Sequence, residues 1–237
     1  MNKDLPIIAL DFPSGQEALS FLDQFNETLN VKVGMELYYA EGPALIKAIK
    51  QRGHHIFLDL KLHDIPNTVK RAMSVLAHLE VDMVNVHATG GQDMLEAALK
   101  GLTQGTPEGK KRPLIIAVTQ LTSTHPEDLF KEQGVEESLE ANVLRLAKLT
   151  KDSGLDGVVC SALESTMIKE EVGRDFMTIT PGIRLEDAKA DDQTRVLTPI
   201  KAKQAGSHYI VVGRPITQAD NPVKAYHNIA FQWQSAF

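Results

Sequence analysis

The sequence predicts an α/β protein with a single domain, a (β/α)8 barrel over residues 1–237. Eight short apolar runs rich in β-formers alternate with segments of helical period, and no linker interrupts the alternation. The length of 237 residues also lies close to the roughly 250 typical of that barrel. A doubly wound open sheet is the architectural alternative, but no G-x-G-x-x-G follows its would-be first strand.

The expected strands, in order, are LPIIALD (5–11), NVKVGM (30–35), HHIFLDLK (54–61), VDMVNVHA (81–88), PLIIAVTQL (113–121), DGVVCSA (156–162), MTITPGI (177–183) and HYIVVGR (208–214). Between them lie helical stretches such as EGPALIKAIKQRG, NTVKRAMSVLAHLE, QDMLEAALKGL and ESLEANVLRLAKLTKDSG, several ended by glycine as helix C-termini prefer. In a barrel, alternate strand residues face the interior and the helices, and active sites form at the C-terminal strand ends. Ile7, Ala9 and Asp11 share one parity of the first strand, which ends in an acid. In the second, Lys32 stands between outward-reading Val31 and Val33. In the third, Ile56, Leu58 and Leu60 are apolar enough to face helices, so Phe57, Asp59 and Lys61 point inward with the charges last. Four charges of mixed sign therefore converge in the mouth: Asp11, Lys32, Asp59 and Lys61. In the seventh strand, Arg184 is read on the inward parity of Thr178, Thr180 and Gly182.

Composition sets the outer limits. With 43% hydrophobic and 24% charged residues the chain can bury a sizeable core, and disorder is not expected. A net charge of -6 argues against nucleic acid or a membrane surface as a partner met through bulk charge, so an anionic ligand requires a local pocket. The start MNKDLPIIALD lacks the apolar core of a leader, and nowhere do about 18 apolar residues run uninterrupted, so a cytoplasmic protein is expected. Cys160 has no second cysteine for a disulfide and no neighbours at zinc spacing, and it reads as a core thiol.

Asp59 and Lys61 lie two apart on one strand face and Asp64 follows in the next loop, so Lys61 can lie between two carboxylates while Lys32 extends an alternating network. Flanking acids favour the ammonium form, which suits proton donation to a developing carbanion better than Schiff-base attack. Asp64 has an ordinary alternative as an N-terminal cap before IPNTVKRAM. At the other end of the chain, Gly213 offers an open backbone N–H and Arg214 a guanidinium after the eighth strand, where barrels commonly bind phosphate. The polar connection TPGIRLEDAKADDQTRV is a candidate lid carrying Gln193. His63 and His87 read as packing or hydrogen-bonding residues.

With these residues in view, the chain resembles the bacterial-type orotidine 5′-phosphate decarboxylase family over essentially its whole length. FLDLKLHDIPNTV fits that family's D-x-K-x-x-D-I-x-x-T signature, and ALDFPSG, VKVGMELYYAEGP, TPGIR and VVGRPIT fall in the expected order. The resemblance implies a cofactor-free and metal-free conversion of orotidine 5′-monophosphate to uridine 5′-monophosphate (UMP) and CO2, the last step of de novo UMP synthesis, by a homodimer with shared sites. It implies that Lys61 protonates C6, that Asp59 lies by the leaving carboxylate, that Lys32 completes the network and reaches the ribose, and that Asp11 holds a ribose hydroxyl. Asp64, Ile65 and Thr68 would enter the partner subunit's site. Gln193, Gly213 and Arg214 would grip the phosphate, Arg184 would support the lid, and Thr122 would contact the ligand, with Ser123 and Thr124 adjacent alternatives. Two other readings remain: a magnesium-dependent sugar-phosphate decarboxylase or aldolase of the same barrel group, in which Glu36 is the nearest extra metal ligand, and a silent barrel that binds sugar phosphates.

Overall fold

A computed structural model describes residues 1–185 and 196–235 of the protein. Eight parallel strands close into a barrel in chain order. They are β1 (Ile7–Ala9), β2 (Asn30–Gly34), β3 (His55–Leu62), β4 (Met83–His87), β5 (Leu114–Val118), β6 (Gly157–Val159), β7 (Met177–Thr180) and β8 (Tyr209–Val212). Each lies within its expected run except β3, which continues one residue further. The four helical stretches form helices Pro43–Gln51, Pro66–Ala77, Gln92–Gly105 and Leu139–Asp152.

Registered partners on neighbouring parallel strands point the same way, so the pairing identifies the interior. Ala9 pairs with Lys32, Lys32 with Phe57, Gly34 with Asp59, Phe57 with Met83, Asn85 with Ile116 and Ile179 with Tyr209. Ile7, Ala9, Phe57, Met83, Ile116, Met177, Ile179, Tyr209 and Val211 fill the barrel as one apolar cluster. Ile8, Val31, Ile56, Leu58, Leu60, Val84 and Ile210 belong to a second cluster, between strands and helices. The expected parity of the first three strands is therefore observed.

The seventh strand differs. Met177 and Ile179 face the interior, whereas Thr180 pairs with outward Ile210 and Thr178 Oγ1 lies 3.3 Å from His208 Nδ1. The larger side chains fill the space beside Tyr209, and Gly157 opposite Met177 leaves the room: a Cβ there would collide with Met177. Arg184 still reaches the mouth, because the strand ends at Thr180 and the chain turns at Gly182, whose φ is 79°.

Helix Pro66–Ala77 starts just after the charged end of β3, and its position depends on close packing with helix Gln92–Gly105. A Cβ on Gly101 would run into the carbonyl of Lys70, and one on Gly105 into that of Ser74. Alanine ordinarily stabilises a helix interior relative to glycine by about 1 kcal/mol. Here the overlap falls on backbone, so Gly101→Ala is expected to destabilise the protein by about 2 kcal/mol in urea unfolding. A gain in stability would show that the two helices separate without cost. Among the described residues no helix is long and apolar enough to cross a membrane.

Candidate active site

The ends of β1, β2 and β3 bring Asp11, Lys32, Asp59 and Lys61 together. Lys61 Nζ lies 2.7 Å from Asp59 Oδ1, Lys32 Nζ lies 3.3 Å from Asp59 Oδ2, and Lys32 also lies 3.3 Å from Asp11 Oδ1. Asp59 is only 7% exposed. Burial alone would push its carboxyl up, but the Lys32 and Lys61 ammoniums, with hydrogen bonds from Lys61 and Asn85, outweigh that and hold it below the ordinary carboxylate range. For Lys32, burial favours the neutral amine, and the carboxylates of Asp59 and Asp11 reverse that and raise its pKa. The site thus holds a buried carboxylate ionised by two ammoniums.

Asn85 was not among the expected residues. Its Nδ2 donates to Asp59 Oδ1 at 2.7 Å, and its Oδ1 accepts the Lys61 backbone N–H at 2.8 Å. Lys61 itself has a φ of 51°, left-handed for a non-glycine residue, where the β3–β4 register shifts between Leu58 and Leu62. The available signal was a polar residue on the inward parity of the fourth strand, between Met83 and His87.

Asp64 does not join this cluster within its own chain. It is exposed, its Oδ1 accepts the next residue's N–H at 2.6 Å, and Lys61 has Asp59 as its carboxylate partner among the described residues. Neither does it act as the expected helix cap, since Ile65 occupies that position with no side-chain cap bond. Ile65, 67% exposed, and Thr68, also exposed, lie near it and outside the cavity.

The four charges form one wall of a cavity of about 250 Å³. Thr122, Arg184, Gly213 and Arg214 border it from the later strands, above a floor that includes Phe57, Val118 and Val159. Of the three adjacent hydroxyl residues, Thr122 is at the wall and Ser123 and Thr124 are not. Arg184 donates to Ile183 O at 2.9 Å, and Gly213 and Arg214 open the short helix Arg214–Thr217. Gln193 lies outside the described residues, as does most of the candidate lid.

Gln120, a second residue missed in the sequence, borders the cavity and donates to Gln133 and Asn142 at 3.0 Å, tying the fifth loop to helix Leu139–Asp152. Cys160 is buried as expected, with Sγ 3.9 Å from Ser165 Oγ. The His63 and His87 rings lie 5.7 Å apart, tilted, without bordering the cavity, and burial, together with nearby His63 and Lys61, pushes the pKa of His87 down. Glu36 is exposed in the first turn of helix Met35–Glu41, and among the described residues no three His, Cys, Asp or Glu side chains are grouped to hold a metal.

Comparison with known proteins shows the family to which the chain belongs. The family described as "Orotidine 5'-phosphate decarboxylase / HUMPS family" matches residues 4–229. The chain belongs to this family. It is 60% identical over 229 residues to orotidine 5′-phosphate decarboxylase of Bacillus cereus (strain G9842), covering 96% of each chain. It is 59% identical over 235 residues to that of Bacillus cytotoxicus, covering 99% of this chain and 98% of that protein. The crystal structure of orotidine 5′-phosphate decarboxylase from Lactobacillus acidophilus superposes with a TM-score of 0.88 at 43% identity, covering 98% of this chain and 99% of that one. The cavity lies at the C-terminal strand ends, where active sites of (β/α)8 barrels form, with charged walls around an apolar floor.

Proposed function

We propose that Lys61 is the proton donor in the decarboxylation of orotidine 5′-monophosphate to UMP and CO2, a reaction of pyrimidine biosynthesis that this chain carries out as a member of its family. The observation that carries the assignment is the ionised Asp59 held between Lys32 and Lys61 at the cavity wall. A substrate carboxylate set against Asp59 is repelled in the ground state, and the repulsion ends as CO2 leaves. The Lys61 ammonium attracts the C6 carbanion that forms and then protonates it.

Lys32 and Asp11 take the ribose, Thr122 contacts the ligand, and Gly213 and Arg214, with Gln193, take the phosphate while Arg184 supports the lid. Phosphate binding is remote from the bond that breaks, so its energy can hold the site closed and raise the rate. The working unit is a cytoplasmic, single-domain chain in a homodimer, with Asp64, Ile65 and Thr68 entering the partner subunit's cavity. Their exposure beside their own cavity supports this reading.

Ultraviolet absorbance of orotidine 5′-monophosphate, followed with purified protein and a chelator, tests the reaction. Turnover unaffected by the chelator is expected. Turnover restored only by magnesium would favour the metal-dependent reading, and binding without turnover the silent barrel.

The phosphate assignment makes its own prediction. Arg214→Ala should weaken UMP about 100-fold in a binding titration but uridine less than about threefold, because the guanidinium–phosphate pair exists only for the nucleotide. Equal losses for both ligands would make Arg214 a residue of the fold.

A further inference from the structure

We propose that Asn85 is a positioning residue for decarboxylation, holding the backbone of Lys61 in its left-handed conformation and fixing which oxygen of Asp59 meets which lysine. The inference rests on Lys61 as the proton donor. Between Leu58–Val84 and Leu62–Val86, β3 advances four residues while β4 advances two, so the stretch around Lys61 leaves the regular ladder. The Lys61 N–H then needs another acceptor, and Asn85 Oδ1 supplies it at 2.8 Å.

That contact also orients the amide. A backbone N–H can only donate, so it must face Oδ1, which leaves Nδ2 to donate to Asp59 Oδ1 at 2.7 Å. The same Asp59 oxygen accepts from Lys61 Nζ at 2.7 Å, and Oδ2 is left to Lys32 at 3.3 Å. Asn85 is 1% exposed and packs opposite Ile116, so the amide has little room to turn away. One side chain therefore sets the backbone of Lys61 and the orientation of the Asp59 carboxylate. A residue lacking either the donor or the acceptor cannot do both.

Asn85→Ala is expected to lower kcat about 100-fold, the scale of a small misplacement of a reacting group, with KM and UMP binding changed less than about threefold. Asn85→Asp keeps the shape and the acceptor but sets a second carboxyl against Asp59, so the pair tends to share a proton. The other ionisable groups around it are Lys61 on β3, Lys32 on β2, His87 on β4 and the neighbouring His63; its β5 partner, Ile116, does not titrate. Protonated, the new carboxyl donates to Asp59 as the amide does. Ionised, it repels Asp59 and competes for Lys61.

The kcat of Asn85→Asp relative to wild type should therefore rise as the pH falls. A kcat of Asn85→Ala within about threefold of wild type, an equal loss of UMP binding, or an Asn85→Asp pH profile parallel to wild type would each overturn the proposal. If Asn85→Ala does not fold, Asn85→Asp carries the test alone. A Lys61→Ala control that keeps its rate would remove the proton donor and this inference together, whereas an inactive control beside an active Asn85→Ala would remove this inference alone.

Discussion

Lys61→Ala is expected to lose about three orders of magnitude or more in kcat while UMP still binds, because the ammonium acts mainly on charge that appears in the transition state. The surrounding contacts explain why the loss should be catalytic and not structural. Without Lys61 Nζ, Asp59 keeps Lys32 at 3.3 Å and Asn85 at 2.7 Å, so the carboxylate remains paired in its buried position. Lys61 itself is partly buried at the cavity wall and belongs to neither apolar cluster of the barrel. Gly213 and Arg214, at the end of β8, are untouched, and phosphate binding should survive. Stopped assays with UMP titrations separate the two quantities. A variant retaining more than about a tenth of wild-type kcat would exclude Lys61 from the central proton transfer.

The parts of this site that could be read in advance follow from a period of two. Ile56, Leu58 and Leu60 are apolar and can face only helices, so Asp59 and Lys61 had to point inward, and pairing across β2 and β3 brought Lys32 beside them. Parity fails where both faces of a strand are plausible. In Met177–Thr180 the threonines are small enough for either side, and the interior took Met177 and Ile179 because a gap beside Gly157 and Tyr209 needed volume. Parity also assumes an unbroken strand. The left-handed turn at Lys61 is invisible in D-L-K, and so is the need for Asn85, because a ladder bond lost through a register shift leaves no mark in composition. Asn85 looked like one polar residue in an otherwise apolar run.

Asp64 raises the remaining question, since it follows Lys61 by three residues yet stays outside its own cavity. Its carboxylate is exposed at the head of helix Pro66–Ala77, beside an Ile65 that is 67% exposed, and the described contacts tie it to no cation of its own chain. If these residues complete the partner subunit's site, Lys61→Ala and Asp64→Ala chains, each inactive alone, should restore one another when allowed to exchange. A mixed two-fold dimer then has one site lacking both groups and one with both intact. Random assortment makes about half the dimers mixed, each with one good site of two, so activity should return to about a quarter of wild type per subunit. If Asp64 instead swings into the site of its own chain, every site in the mixture lacks one group and activity stays at the level of the separate variants. Mass spectrometry of the intact dimers establishes that mixing has occurred, and mixed dimers without recovered activity would sink the shared-site reading.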